Sequence, residues 1–220
     1  MRLYLRLSPN KSLVPFDYQS MLVGTFHKWL GKNIEHDEIS LYSLSWLTGG
    51  KQKDNGFLFA KGATWFISSH EIDITRRVMA GILKKPDTFH GMQVTDIKLQ
   101  ETPTFSEETK FYVQSPILAK KYDGKKIKHY IYSDIEVSEI LTNTMKTKLK
   151  KAGIKPEILI NFDVSYPKAK TKMVNFNGIK NRASLCPVLV KGTPEAIAFS
   201  WNVGIGHCTG SGFGAIGLHP

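Results

Sequence analysis

The chain has 220 residues, of which 41% are hydrophobic and 22% charged, so it is long enough for one large domain or two small ones. No apolar run approaches the roughly 18 residues of a membrane-spanning helix, and the first residues lack the apolar core of a signal peptide. These absences predict a cytoplasmic protein with no membrane partner. Two cysteines, Cys186 and Cys208, are too few for a disulfide framework.

The formal net charge is +11, and it is distributed unevenly along the chain. Residues 1–109 carry 13 Lys and Arg against 12 Asp and Glu, whereas residues 110–220 carry 17 against 7. An excess of this size can serve solubility alone. Its concentration in one half favours a polyanion-binding surface there.

The first half predicts the element order of a ferredoxin-like βαββαβ unit. Leu3, Leu5 and Leu7 alternate with polar or aromatic residues, a period that is typical of a strand buried on one face. Helices are predicted at 15–31 and 71–84, and further strands at 40–47, 56–61, 63–69 and 89–100. Gly62 is expected in a tight turn that joins strands 56–61 and 63–69 as a hairpin.

Residues 101–109 are polar and contain a proline, so they are predicted to link two domains, 1–100 and 110–220. In the second half, strands are predicted at 110–120, 127–132, 157–165, 171–176, 183–191 and 213–218, and helices at 134–151 and 194–201. A second, distorted copy of the same unit fits this order. The sequence therefore predicts an α+β fold of two tandem ferredoxin-like (RRM-like) domains.

Six glycines fall within the fourteen positions 204–217. Glycine is costly to order, so such a cluster indicates either a structural turn or a backbone that closely approaches a phosphate. The segment lacks the Gly-Lys-Ser/Thr sequence of a nucleotide-triphosphate loop, and it has no dinucleotide fingerprint. In a basic half of the chain, contact with the phosphates of a nucleic acid is the favoured interpretation.

His27 and His36 are candidates for proton transfer. His27 lies at the edge of the apolar stripe of the first predicted helix, and His36 lies in the polar loop that follows. Two imidazoles suit RNA cleavage, since one can take the proton of the ribose 2′-hydroxyl while the other protonates the leaving 5′-oxygen. Their spacing alone fits ordinary helix and loop residues better. Neither His36-Asp37 nor His207-Cys208 has zinc-ligand spacing, so no metal site is predicted.

Basic residues provide candidate phosphate contacts in both halves. Those near the histidines would also stabilise charge at the reacting phosphate. The predicted RNA-binding residues are Lys28, Lys51, Lys53, Lys172, Lys180, Arg182, Gly204, Gly206, His207, Gly212 and Gly214.

The sequence resembles a known superfamily in five places along the chain. Gly204-Ile205-Gly206, five residues and Gly212-Phe213-Gly214 resemble the signature loop of the repeat-associated mysterious proteins (RAMP). Within that superfamily the chain is similar to the CRISPR-associated endoribonucleases that cut precursor CRISPR RNA. The other similar segments are 1–7, 24–30, 41–45 and 115–117.

This resemblance implies metal-independent RNA cleavage without a cofactor, giving 2′,3′-cyclic phosphate and 5′-hydroxyl ends. The implied partner is CRISPR repeat RNA, as precursor and as processed guide RNA, with a CRISPR effector complex and a homodimer as further partners. His36 matches the place of the family's loop histidine, and His27 stands where a tyrosine is frequent. Some members have a lysine after the loop histidine, but here only Asp37-Glu38-Ile39-Ser40 fills that gap.

Two functions therefore compete. The first is a repeat-specific endoribonuclease, and the second is a catalytically inactive RNA-binding RAMP subunit of an effector complex. A general RRM-like binder is less favoured, because the strands show no aromatic pattern of the kind that RRM domains use to stack bases.

Overall fold

The computed structural model of the protein describes residues 1–31, 39–124 and 126–219. None of the helices in these ranges is long and apolar enough to cross a membrane. The helices are α1 (Gln19–Leu30), α2 (Ile72–Lys84), α3 (Val137–Lys151) and α4 (Pro194–Val203). The strands are β1 (Arg2–Leu7), β2 (Val14–Pro15), β3 (Tyr42–Leu44), β4 (Lys51–Lys53), β5 (Gly56–Leu58), β6 (Ala63–Ser69), β7 (Val94–Gln100), β8 (Glu108–Val113), β9 (Ala119–Asp123), β10 (Lys126–Tyr130), β11 (Ile158–Phe162), β12 (Lys170–Phe176), β13 (Ile179–Leu185), β14 (Val188–Gly192) and β15 (Ile216–Gly217).

The first half of the chain forms a ferredoxin-like unit, as the sequence predicts. Its four-stranded sheet has the order β3-β6-β1-β7, and β1 pairs antiparallel with both β6 and β7. Leu3, Leu5 and Leu7 are all buried, which is the reason for their alternation with polar residues along β1. The helix α1 connects β1 to β3 and α2 connects β6 to β7, which completes the βαββαβ order.

The second half repeats this topology. Its sheet has the order β11-β14-β8-β15, with α3 between β8 and β11 and α4 between β14 and β15. Two additional hairpins, β9–β10 and β12–β13, are inserted into the second unit. The predicted α+β fold of two tandem ferredoxin-like units is therefore confirmed.

The predicted hairpin around Gly62 is wrong. The strand β6 pairs with β1 and β3, whereas β5 pairs with β2 and β4 in a separate small sheet. The apolar strand β6 is buried at the centre of the main sheet, where it has partners on both sides. The predicted tight turn is present, since Gly62 N donates to Phe59 O at 2.9 Å, and a Cβ atom at Gly62 would overlap the carbonyl oxygen of Leu7.

Several element boundaries also differ from the prediction. The first helix begins at Gln19, because Pro15 belongs to the short strand β2. The predicted strand 183–191 is divided into the ends of β13 and β14, since Pro187 lies between them and cannot donate to a ladder. The predicted linker 101–109 overlaps the first two residues of β8.

Arg2 of the first unit contacts both units at their junction. Its guanidinium lies between the rings of Phe66, at 3.9 Å, and Trp201, at 3.7 Å. The same group donates hydrogen bonds to Trp201 O at 2.9 Å and Ile216 O at 2.8 Å. Burial lowers the pKa of Arg2 to about 10, so the group is charged near pH 7.

Gly24→Ala is expected to raise the stability of the fold. Gly24 is exposed inside α1, and a Cβ atom there would meet nothing within 4 Å. Alanine loses less backbone entropy than glycine on helix formation, so the free energy of unfolding should rise by about 0.5–1 kcal/mol. Urea denaturation would show a higher midpoint at an unchanged slope, and a lower midpoint would contradict the expectation.

Candidate functional site

The glycine-rich segment 204–217 lies between the two ferredoxin-like units and contacts both. Gly214 N donates to Pro116 O in the second unit at 2.9 Å. Gln19 Nε2 of the first unit donates to Gly212 O at 3.0 Å. The segment therefore forms part of the junction between the two halves.

Close packing accounts for the glycines of this segment. A Cβ atom at Gly204 would lie 2.6 Å from Gly214 O, and one at Gly206 would lie as close to a carbonyl oxygen of the second unit. At Gly212 a Cβ atom would lie 3.2 Å from the side chain of Gln19. At Gly214 a Cβ atom would overlap the carbonyl oxygen of Ile205. These contacts explain the four predicted phosphate-binding glycines without a ligand. Their role in RNA binding stays a prediction.

A cavity of about 370 Å³ opens beside residues 206–209. Both ferredoxin-like units contribute to its walls: residues 39–40 come from the first, and the last turns of α3 with residues 206–209 come from the second. The lining residues are Ile39, Ser40, Thr144, Thr147, Lys148, Gly206, His207, Cys208 and Thr209. This described lining contains a lysine and several hydroxyl groups but no carboxylate. It is a site that suits an anion.

Lys148 is the principal charged group of this cavity. It is only 3% exposed, and its Nζ donates to Thr209 Oγ1 at 3.0 Å and to Val203 O at 3.5 Å. Loss of hydration lowers the pKa of Lys148 to about 7, against a smaller opposite effect of Cys208. Within the described part of the chain no Asp or Glu forms an ion pair with this lysine.

His207 lines the same cavity but is neutral near pH 7. Burial, together with the positive charges of Lys120 and Lys148, lowers the pKa of His207 to about 4. Its Nδ1 is buried and has no hydrogen-bond partner among the described residues. A neutral imidazole offers one donor and one acceptor, so His207 is suited to a hydrogen bond rather than to charge pairing.

No cluster of three or more metal-ligating side chains occurs in the described ranges.

Of the two predicted catalytic histidines, the structure describes only His27. His27 lies on the last turn of α1 and is half-buried, with its ring 5.3 Å from that of Phe26. Phe26 packs on Tyr42, with ring centroids 4.7 Å apart, and Tyr42 lies against Gly210 of the glycine-rich segment. His36 lies outside the described residues. His27 does not line the cavity, and the pairing of the two histidines stays a prediction.

The three lysines predicted near the histidines lie in two different places. Lys28 is exposed on α1 and donates to the carbonyl oxygen of Asp87, and partial burial lowers its pKa. Lys51 and Lys53 are exposed on β4, at the edge of the small sheet. None of the three lines the cavity, whose charge comes from Lys148, a residue that the sequence motifs do not single out.

The hairpin β12–β13 carries the other predicted basic residues. Lys180 and Arg182 are exposed on one face of β13. Lys172 belongs to the opposite face, where its Nζ lies 5.2 Å from the centre of the Trp46 ring. The hairpin therefore presents positive charge on both faces, and one face lies against the first unit.

The first sheet also carries an aromatic pair that no sequence motif singles out. Tyr4 on β1 and Phe66 on β6 face each other across the central strands, with ring centroids 5.5 Å apart, beside a second cavity of about 260 Å³. Aromatic residues on central strands are the feature by which RRM domains stack bases. Here the Arg2 guanidinium covers Phe66, which is only 4% exposed, so the protein itself occupies that ring face.

Comparisons with known proteins place the chain in a family. Residues 99–218, more than half of the chain, match the family model described as "CRISPR associated protein Cas6, C-terminal". A curated relative from Pyrococcus horikoshii, the CRISPR-associated endoribonuclease-like protein Cas6nc, is 24% identical over 99% of both chains.

Solved structures share the whole fold. A structure from the characterisation of a Cas6-related gene of Pyrococcus furiosus superimposes with a TM-score of 0.86 at 21% identity, covering 100% of this chain and 98% of that one. A RAMP protein described as binding different RNA substrates gives a TM-score of 0.80 at 23% identity, with both chains fully covered. With the family match over the second half, these findings show that the chain belongs to the CRISPR-associated Cas6 family.

Proposed function

We propose that the protein is a metal-independent endoribonuclease that cleaves precursor CRISPR RNA within its repeats. The observation that carries the proposal is the anion-suited cavity at the junction of the two units, lined by Lys148 and by hydroxyl groups. Its wall at Ile39 follows directly on the segment 32–38, which contains His36. Membership of the Cas6 family supports RNA processing as the reaction class.

The proposed chemistry uses the RNA's own nucleophile. The 2′-oxygen attacks the neighbouring phosphorus and loses its proton to one histidine, while the other histidine protonates the leaving 5′-oxygen. The P–O5′ bond breaks as the P–O2′ bond forms, which leaves a 2′,3′-cyclic phosphate and a 5′-hydroxyl. His27 and His36 are assigned to the two proton transfers.

The basic second unit is proposed to hold the repeat RNA. Lys180 and Arg182 on the exposed face of β13 provide phosphate contacts, in keeping with the excess of 17 basic over 7 acidic residues after residue 109. The similar RAMP protein is described as binding different RNA substrates, which supports the assignment. The processed guide RNA would then pass to a CRISPR effector complex.

Cleavage is expected to persist in excess EDTA and to disappear with a 2′-deoxy sugar at the cut. The deoxy sugar removes the nucleophile, whereas chelation removes nothing that the proposed reaction needs. The measurement uses end-labelled repeat RNA from the CRISPR array of the same genome, with the unmodified and the deoxy substrate in parallel.

Three results would separate the alternatives. Loss of cleavage in EDTA would contradict a metal-independent reaction. Cutting of the deoxy substrate would contradict the 2′-hydroxyl as nucleophile. Tight binding of both substrates without any product would identify an RNA-binding subunit instead of an enzyme.

A further inference from the structure

We propose that Lys148 is a further catalytic residue, which binds a non-bridging oxygen of the phosphate at the cleavage site inside the cavity that it shares with Thr209 and His207. This inference rests on the proposed function. It places the charge-stabilising group on α3 of the second ferredoxin-like unit, whereas the candidate histidines belong to the first. Lys51 and Lys53, which are among the predicted RNA-binding residues, lie on β4 and do not line the cavity.

The burial of Lys148 is the first argument. Lysine is rarely buried without an anionic partner, because its ammonium group loses its hydration. Here Nζ has one hydroxyl and one carbonyl partner, Thr209 Oγ1 and Val203 O, and no carboxylate among the described residues. An ammonium group can donate three hydrogen bonds and carries a full charge, so a bound phosphate would supply the missing compensation.

The composition of the cavity is the second argument. Besides Lys148, its described lining offers the hydroxyls of Ser40 and Thr209, whereas those of Thr144 and Thr147 donate to carbonyl oxygens of their own helix α3. The Ser40 and Thr209 hydroxyls can donate to phosphate oxygens, and the lining has no acidic side chain among the described residues that would repel a phosphate. The lowered pKa of Lys148, about 7, would rise when a phosphate binds, because the anion favours the charged form.

The role is electrostatic. As the 2′-oxygen attacks, negative charge grows on the non-bridging oxygens, and the buried ammonium group of Lys148, held by Thr209, stabilises that charge. Lys148 keeps its proton throughout the reaction. The two proton transfers by the histidines therefore still balance.

Lys148→Met is the principal test, with Lys150→Met on the exposed face of the same helix as the matched control. We expect Lys148→Met to lower the single-turnover cleavage rate about 10²–10³-fold, the usual effect of removing one donor to a developing oxyanion. Lys150→Met should leave the rate near that of the wild type. Thermal melting of both variants shows whether each is folded.

A phosphorothioate substrate distinguishes contact from a structural effect. Sulfur in place of the contacted non-bridging oxygen is a poorer acceptor, so one diastereomer should slow the wild type but cause no additional loss in Lys148→Met. An equal thio effect in both proteins would overturn the proposal, as would wild-type rates for folded Lys148→Met.

A binding measurement tests the assignment of Lys148 independently of whether the protein cleaves RNA. The wild type should bind repeat RNA ending in a 3′-phosphate more tightly than the same RNA ending in a 3′-hydroxyl, and Lys148→Met should lose that preference. If the wild type cleaves no RNA, the proposed function fails while this preference still supports a phosphate contact. Equal wild-type affinity for the two RNAs would overturn the Lys148 assignment whether or not cleavage occurs.

Discussion

His36→Ala and His27→Ala are each expected to slow cleavage of repeat RNA by about 10²–10⁴-fold, because each variant loses one proton transfer in the transition state. The dissociation constant for the uncleavable 2′-deoxy RNA should change little, since neither imidazole is required to hold the phosphate backbone. Single-turnover cleavage and equilibrium binding, measured on the same preparations, test the two statements separately.

A double variant tests whether the two histidines act as one catalytic unit. Residues that act as one catalytic unit have non-additive effects, so His27→Ala with His36→Ala should be hardly slower than the worse single variant. His90→Ala is the matched control, because His90 belongs to neither cavity and contacts Ser12, with 2.8 Å between its Nδ1 and Ser12 Oγ. Equal losses of rate and affinity in the single variants would argue for RNA binding instead of catalysis.

Gly214→Ala is expected to destabilise the protein by about 2–5 kcal/mol. Gly214 has a φ of +66°, a conformation that costs other residues about 1–2 kcal/mol. Its added Cβ would also overlap the carbonyl oxygen of Ile205, and overpacking costs about 1–3 kcal/mol more. Such a loss is a large part of the roughly 5–15 kcal/mol that holds a domain folded, and urea denaturation would measure it.

Gly178→Ala separates the two contributions. Gly178 also has a positive φ, +81°, but a Cβ atom there would meet nothing within 4 Å. This variant should therefore lose only about 1–2 kcal/mol, the backbone cost alone. If Gly214→Ala and Gly178→Ala had the same effect, close packing would not be the reason for glycine at position 214.

The order of helices and strands could be predicted because each has a local signal. Leu3, Leu5 and Leu7 mark β1 by their alternation, and all three are buried in the first core. Strand pairing has no such signal, so proximity in sequence favours a hairpin across Gly62 that the structure does not contain. The partners of β6 are set by burial at the centre of a sheet, which depends on segments distant in the chain.

The site could be predicted less completely, and Lys148 shows why. It lies three residues after Met145 and seven after Leu141, so helical periodicity places it on the buried face of α3. A lysine at such a position is ordinarily expected to extend its charged end to water. Only the tertiary arrangement of residues 206–209 against α3 encloses that end in a cavity.

The division of the cavity between the two units has a consequence for protein synthesis. Residues 39–40 line the cavity and are made early, whereas residues 206–209, which line it together with α3, are made about 170 residues later. A nascent chain that has folded only its first unit carries His27 without the cavity that would receive a phosphate. If the proposed function holds, ribonuclease activity would begin only when the second unit has folded, so that an unfinished chain would not cut cellular RNA near the ribosome.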